Sequence, residues 1–217
     1  MNTLIISGGR FDKEFAASWL KTNVYDYVIA VDYGLRYAKE LGIMPDLIVG
    51  DFDSNGENFI EEYTELGCDV RKCMPDKDDT DTEIAVREAV LRGNPIDIIC
   101  ATGGRIDHML ANIHVLMLAL KAGVEARLLD KGNEIFLKNH SFTLTRAKYS
   151  RKYVSFVPFD GIVKGIKLKG FKYTLDGYDL KPGISRCISN EFAEDEAYVE
   201  FDSGCLIVIN SSDVETE

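Results

Sequence analysis

The sequence predicts an α/β protein in two parts: an N-terminal layered α/β domain with a mainly parallel sheet, then a C-terminal antiparallel β-sandwich or barrel. Two observations predict it. Up to about residue 130, short apolar runs alternate with stretches of helical periodicity, the pattern of strand–helix–strand units. Beyond Lys131 no long amphipathic stretch follows, and short alternating runs succeed one another between Gly, Asn and Asp. The change of period places a domain boundary near residue 133, dividing the chain into 1–132 and 133–217.

Apolar runs predict strands at 3–7, 27–31, 46–50, 68–72, 96–101 and 125–130. Helical stretches lie between them. Residues 12–21 open with Asp12 as cap, and 34–42 end at Gly42. Residues 80–92 place Ile84, Val86, Ala89, Val90 and Leu91 mostly on one face and end at Gly93; 106–122 are strongly apolar and end at Gly123. In the second part "NEIFLKN", "SFTLTR", "KYVSFVPF", "GIVKGIKLKG", "AYVEFD" and "CLIVIN" read as strands, the first two as a hairpin turning at Asn139-His140. The lysines of "KGIKLKGFK" alternate with apolar residues, as on the solvated face of a strand.

Composition excludes several classes of partner. With 217 residues and 46% hydrophobic content the chain can build one large core or two small ones. A formal net charge of −11 argues against nucleic acid or an anionic membrane surface, though not against a small anion whose field a metal inverts. No apolar run approaches a membrane span, and "MNTLIISGG" lacks the basic start of a signal peptide and reads as a buried strand. Five cysteines, with no CxxC pair, read as reduced, mostly buried thiols in a cytoplasmic protein. The three histidines lack metal-ligand spacing.

In an open α/β sheet, ligands sit beyond the carboxyl ends of the strands. The segments that follow the predicted strands are "SGGR" (Ser7–Arg10), "VDYG" with Asp32, "GDFDS" with Asp51 and Asp53, "PDKDDTDTE", and "ATGGRIDH" with Gly103, Gly104, Arg105 and Asp107. Gly and Asp are ordinary turn residues, so each segment alone is weak; five successive strand ends of this kind point to a site. Five of the eight residues from Asp76 to Glu83 are acids, where a helix start asks for one cap and one or two carboxylates. Thr80 and Glu83 have the capping-box spacing, and Lys77 is the one base beside the acids. Clustered Asp side chains suit a hard cation, and Mg²⁺ takes one or two carboxylates together with phosphate oxygens. Asp51 and Asp53, spaced i, i+2, share one side of an extended segment. "GGRID" offers backbone N–H groups at a helix start, and Arg105 a bidentate fork, to phosphate. The sum is a site for a polyphosphate bound with magnesium. No Walker A sequence is present and no GxGxxG follows a strand.

"GDFDS", "PDKDDTD" and "TGGRIDH", in this order, resemble the thiamine pyrophosphokinase (thiamine diphosphokinase) family. "VDYG" resembles that family's Asp-Gly-Gly turn, with Tyr33 where the first Gly is usual. "GFKYTL" (170–175) and "SNEF" (189–192) resemble its thiamine-binding β-domain. The resemblance covers nearly the whole chain. It implies transfer of a pyrophosphoryl group from ATP to the hydroxyethyl oxygen of thiamine, giving thiamine diphosphate and AMP. It implies that Asp51, Asp53 and Asp81 hold magnesium and the triphosphate, with Asp32 a further acid of the cleft. Lys77 and Thr80 would face ATP, and Gly103, Gly104, Arg105 and Asp107 would form the nucleotide-binding turn. Ser189, Asn190 and Tyr173 would belong to the thiamine side. Family members are homodimers with thiamine bound between subunits, so the same is expected here.

Plainer readings stand beside these. His108 reads as a cap-region residue, Arg10 as an exposed turn residue, and Trp19 as core packing. Asn112 shares a helical face with His108 and is open to a ligand contact or a bond within the helix. The rival functions are a magnesium-dependent phosphotransferase with another acceptor, which would release ADP, and a non-catalytic nucleotide or thiamine sensor.

Overall fold

The computed structural model describes residues 1–50, 57–72 and 79–214, with only the backbone of 57–60. The chain divides into two compact units, Met1–Lys131 and Gly132–Glu217.

The first unit alternates strand and helix throughout. Its strands are β1 (Thr3–Ile6), β2 (Tyr27–Val31), β3 (Leu47–Gly50), β4 (Asp69–Lys72), β5 (Ile96–Ile99) and β6 (Ala126–Leu129); its helices are α1 (Lys13–Thr22), α2 (Gly34–Leu41), α3 (Glu57–Glu65), α4 (Asp81–Leu91) and α5 (Ile106–Lys121). The strands run in the order β4-β3-β2-β1-β5-β6 and every pair is parallel. The chain therefore builds outward from β1 to β4, then returns to the other side of β1 for β5. That reversal makes the carboxyl ends of β1 and β5 a topological switch point, where an open α/β sheet leaves a crevice.

Burial explains the strand sequences. β1, β3 and β5 are buried at every position, and such strands read as continuous apolar runs because helices cover both faces. β4, at the edge, reads "DVRK" and is largely exposed; charged side chains there discourage pairing with another chain. Asp12 caps α1, its Oδ1 accepting from the Phe15 N–H at 2.9 Å, and α2 ends at Gly42 in the left-handed conformation. The buried stripe of α4 is Thr82, Ala85, Val86 and Ala89. Val86 and Ala89 were expected on that face; Leu91 is 81% exposed, because i, i+3, i+4, i+7 spacing from Thr82 excludes it. Helix α3 had no sequence-based expectation. Among its described side chains only Tyr63 is buried, packed with Ala30, Leu35, Ile48 and Cys68, which is too little to make a periodic signal.

The second unit contains β7 (Asn133–Lys138), β8 (Phe142–Thr145), β9 (Tyr153–Pro158), β10 (Val163–Lys169), β11 (Leu175–Leu180), β12 (Glu196–Glu200) and β13 (Leu206–Ser211). β7-β13-β9 pair antiparallel, and β11-β10-β12-β8 form a four-stranded antiparallel sheet. One apolar cluster draws on both groups, including Phe136, Leu144, Val154, Phe156, Leu168, Val199 and Val208, so the unit is a sandwich. The expected hairpin between β7 and β8 does not form. β7 pairs with β13 and β8 with β12, and Asn139–Ser141 carry the chain from one sheet to the other. A two-residue hairpin turn favours left-handed backbone at both central positions; His140 is a poor occupant of the second, and the long registers with β13 and β12 win. β11, "LDGYDL", also lacked a sequence expectation: only Leu180 of its six residues is buried.

Candidate active site

The first unit assembles its candidate site at the switch point. The Ser7 N–H donates to the Ile99 carbonyl at 3.0 Å and the Gly9 N–H to the Cys100 carbonyl at 2.7 Å, so the loop after β1 is laced to the loop after β5. A Cβ on Gly9 would lie 2.5 Å from the Cys100 oxygen, which only glycine avoids. Cys100 itself has φ +58, a strained value for a side chain of its kind. Three side chains steady the β5 loop and α5: Thr102 donates to Asp130 Oδ2 at 2.6 Å, Asn112 Nδ2 donates to the Ala101 carbonyl at 2.8 Å, and Arg10 lies against Gly103. Asn112 is thus buried and serves the loop rather than a ligand or its own helix.

The loop ends in Gly103 (φ +77) and Gly104 (φ +69), then Arg105 at the start of α5. Arg105 is exposed and its fork grips Asp107, Nε to Oδ1 at 3.1 Å and Nη2 to Oδ2 at 2.6 Å. The Arg105 guanidinium holds the Asp107 carboxyl below the usual carboxylate range, so the pair is charged on both sides at neutral pH. Nε and Nη2 serve that pair, and a guanidinium has five N–H donors, so binding phosphate does not require giving the carboxylate up. His108 is exposed and its N–H donates to Asp107 Oδ1 at 2.9 Å, a cap-region residue as expected.

On the other side of β1, Asp32 follows β2 with φ +46, its N–H bonded to the Val49 carbonyl at 2.9 Å. Thr80 caps α4, its hydroxyl accepting from the Glu83 N–H at 3.2 Å. Glu83 pairs with Arg87 one turn on, and Arg87 also lies 3.9 Å from Asp79. Lys77 is therefore not the sole offset to the crowded acids: Arg87 matches two of them. Asp81, half-buried, is the first residue of the helix. Next to it, buried Thr82 and Ser7 share a hydroxyl–hydroxyl hydrogen bond of 2.8 Å, and α4 packs along β1, β2 and β3. That bond pins the start of α4, and Asp81 with it, to the carboxyl end of β1. Neither hydroxyl had a sequence signal beyond its place beside the Gly and Asp residues that did.

Asp51, Asp53 and Lys77 lie outside the described residues. Among the described residues no group of three or more His, Cys, Asp or Glu gathers as a metal site. The acids that are described, Asp32 and Asp81, are half-buried hard oxygen donors, Asp32 at the carboxyl end of β2 and Asp81 at the helix start pinned to the carboxyl end of the neighbouring β1. Their chemistry fits Mg²⁺, which asks for one or two carboxylates and completes its shell with phosphate and water.

In the second unit the three expected thiamine-side residues fall together. Asn190 is 2% exposed; its Oδ1 accepts from the N–H of Tyr173 (2.9 Å) and of Glu191 (3.0 Å), and its Nδ2 donates to the Tyr173 carbonyl at 2.7 Å. Ser189 is exposed with φ +58, and its N–H donates to the buried Ser155 Oγ at 2.9 Å. A cavity of about 340 Å³ is lined by Leu168, Tyr173, Thr174, Leu175, Arg186, Ile188 and Asn190. The amide of Asn190 is spent largely on backbone, so it holds Tyr173 in place; Tyr173, 57% exposed, offers its ring.

Among the described residues no helix is long and apolar enough to cross a membrane.

The chain matches two family models, "Thiamin pyrophosphokinase, catalytic domain" over residues 18–128 and "Thiamin pyrophosphokinase, vitamin B1 binding domain" over residues 139–206. It is 34% identical over 194 residues to a thiamine pyrophosphokinase of Bacillus subtilis, covering 88% of this chain and 90% of the relative. A crystal structure of a thiamine pyrophosphokinase from Bacillus subtilis superposes with a TM-score of 0.86 at 31% identity, covering 99% of this chain and 100% of that one. The Geobacillus thermodenitrificans enzyme gives 0.83 at 30% identity, with 99% of each chain covered. The yeast structure, 14% identical over 97% of this chain and 86% of its own, shares the fold with a TM-score of 0.79.

Proposed function

The chain belongs to the thiamine pyrophosphokinase family, and on that premise we propose that it transfers the pyrophosphoryl group of ATP to the hydroxyethyl oxygen of thiamine, yielding thiamine diphosphate and AMP. One observation carries the reading: the catalytic-domain match falls within the first unit and the vitamin-B1-binding match within the second, so a single chain holds both halves of the reaction.

The residue roles follow from the chemistry. Pyrophosphoryl transfer asks for charge neutralisation and in-line placement more than covalent help from the protein. Asp51, Asp53 and Asp81 would hold magnesium, with Asp32 nearby; when bound, the ion neutralises phosphate oxygens and steadies the leaving AMP. Thr80 and Lys77 would face the triphosphate, and Gly103, Gly104, Arg105 and Asp107 would receive phosphate on backbone N–H groups and the guanidinium. Asp81 is also the candidate to accept the hydroxyl proton. Ser189 and Tyr173 would contact thiamine, with Asn190 holding Tyr173, in a homodimer that places the two substrates together. Thiamine carries a fixed positive charge on its thiazolium ring, and a chain of net charge −11 attracts it.

The test is a product assay with ATP and magnesium, with and without thiamine. Thiamine-dependent AMP, matched mole for mole by thiamine diphosphate and abolished by chelation, is expected. ADP with thiamine monophosphate would replace pyrophosphoryl by phosphoryl transfer, and no product would favour a sensor. Asp81→Ala is expected to keep its melting transition and lose about a hundredfold or more in turnover. Near-normal activity, or unfolding, would remove Asp81 from the metal site.

A further inference from the structure

We propose that Tyr33 is the stacking platform for the purine base of the nucleotide, and so a specificity-determining residue of the reaction; the assignment rests on the ATP-dependent reading above. Tyr33 follows Asp32 directly at the carboxyl end of β2 and is 39% exposed there. Its backbone has φ −61 and ψ −19, an ordinary helical pair that any side chain accepts, so the turn does not require an aromatic residue.

The ring is held in place before any ligand arrives. It packs edge-on to Tyr37, with centroids 5.2 Å apart and planes at 70°. Tyr37 is itself stacked on Phe11 at 4.3 Å and 13°, and its hydroxyl donates to the Gly9 carbonyl at 3.0 Å. The aromatic chain is thus anchored to the same Gly8–Gly9 turn that borders the phosphate-binding end of the sheet. Gly8 adjoins it, a Cβ built there lying at the ordinary contact distance of 3.4 Å from the Tyr33 Cβ. A pre-oriented ring costs little further conformational entropy on binding.

A second flat group adjoins the ring. The Arg36 guanidinium lies 4.9 Å from the Tyr33 centroid. A purine, electron-rich and flat, stacks on an aromatic or guanidinium plane alike.

The alternative is that the ring merely shields the Gly8–Gly9 turn, and steady-state kinetics on the full chain separates the two. Tyr33→Phe keeps the π face and is expected to hold the KM for ATP within about twofold of wild type, and a tenfold rise in that variant overturns stacking. Tyr33→Ala and Tyr33→Leu are expected to raise the KM for ATP about tenfold, with kcat and the KM for thiamine unchanged and with discrimination against CTP reduced. Tyr33→Leu keeps the cover over Gly8 and lacks the π face, so wild-type kinetics in that variant overturns stacking, as does a rise in the KM for thiamine instead. A wild-type chain that forms no thiamine-dependent AMP overturns the proposed function and this assignment with it. Wild-type turnover beside an unchanged KM for ATP in both truncations overturns this assignment alone.

Discussion

A Cβ built on Gly34 would stand 2.0 Å from the carbonyl oxygen of Ile6 and 2.9 Å from that of Ser7. The last turn of β1 and the first turn of α2 can meet only over a bare glycine. This explains a departure from the family's Asp-Gly-Gly turn: the first glycine's place is taken by Tyr33, whose φ of −61 and ψ of −19 any side chain accepts, while the second is retained as Gly34 because backbone presses on it. Gly34→Ala is expected to fold poorly or lose several kcal/mol, well beyond the roughly 1–3 kcal/mol of ordinary overpacking, because the obstacle is main chain rather than a movable side chain. Chemical denaturation checks it; a midpoint near wild type would show that β1 and α2 can part at no cost. The same reasoning separates residues by role. Asn190 and Asn112 are polar and near the candidate sites, yet both are buried and bonded to backbone, so their work is to hold loops.

At the scale of the element, α4 decides where the acids stand. Its cap, Thr80, satisfies an N–H that has no partner within the helix, and its inward stripe of Thr82, Ala85, Val86 and Ala89 packs it on the sheet. Burial of that stripe sets which way the helix rolls; the Ser7–Thr82 hydrogen bond sets where it begins. Thr82→Val keeps the volume and strands the buried Ser7 hydroxyl, so a loss of about 1–3 kcal/mol is expected, with turnover falling as Asp81 shifts. The Ser7→Ala/Thr82→Val double variant removes both polar groups and should recover most of the stability. Thermal melts of the three variants test this, and a double variant no more stable than Thr82→Val would deny the bond its role. Crowding of acids at this helix start is less extreme in the fold than in the sequence, since Arg87 reaches back to Glu83 and Asp79.

For the whole molecule, the four described cysteines report on both units at once. Cys68 and Cys100 lie in the first, Cys187 and Cys205 in the second, and all four are buried thiols. Burial pushes Cys100 up to about 12 and the other three to about 11. At pH 8 these groups are neutral and shielded, so alkylating reagents should leave them unmodified until the chain unfolds. Linkage gives a second signature. A pKa raised in the folded state means that the stabilisation is complete below the unfolded thiol's pKa, near 8.5, and is lost as pH rises toward 11 to 12. Site-resolved mass spectrometry after native alkylation checks the first expectation, and denaturation midpoints at pH 8 and 10 the second. Rapid labelling of Cys100 in the native state would mean that the β5 loop opens readily.

Much was legible in the sequence because it depends on local chemistry. The period change near Lys131, the six parallel strands, Asp12 as a cap and the Gly- and Asp-rich strand ends all follow from burial on one or two faces and from the needs of helix termini. What failed is equally instructive: the β7–β8 hairpin looked local but lost to long-range pairing with β13 and β12, and α3 and β11 bury too few side chains to leave a pattern. By itself the sequence determined the fold class and the family, since composition, spacing and backbone preference are properties of the chain. Only the tertiary structure decided that Ser7 meets Thr82, that Gly9 and Gly34 bear backbone contacts, and that Tyr33 has a fixed, exposed ring. Those facts join residues far apart in the chain, and no local preference encodes a contact whose partner arrives only when the sheet closes.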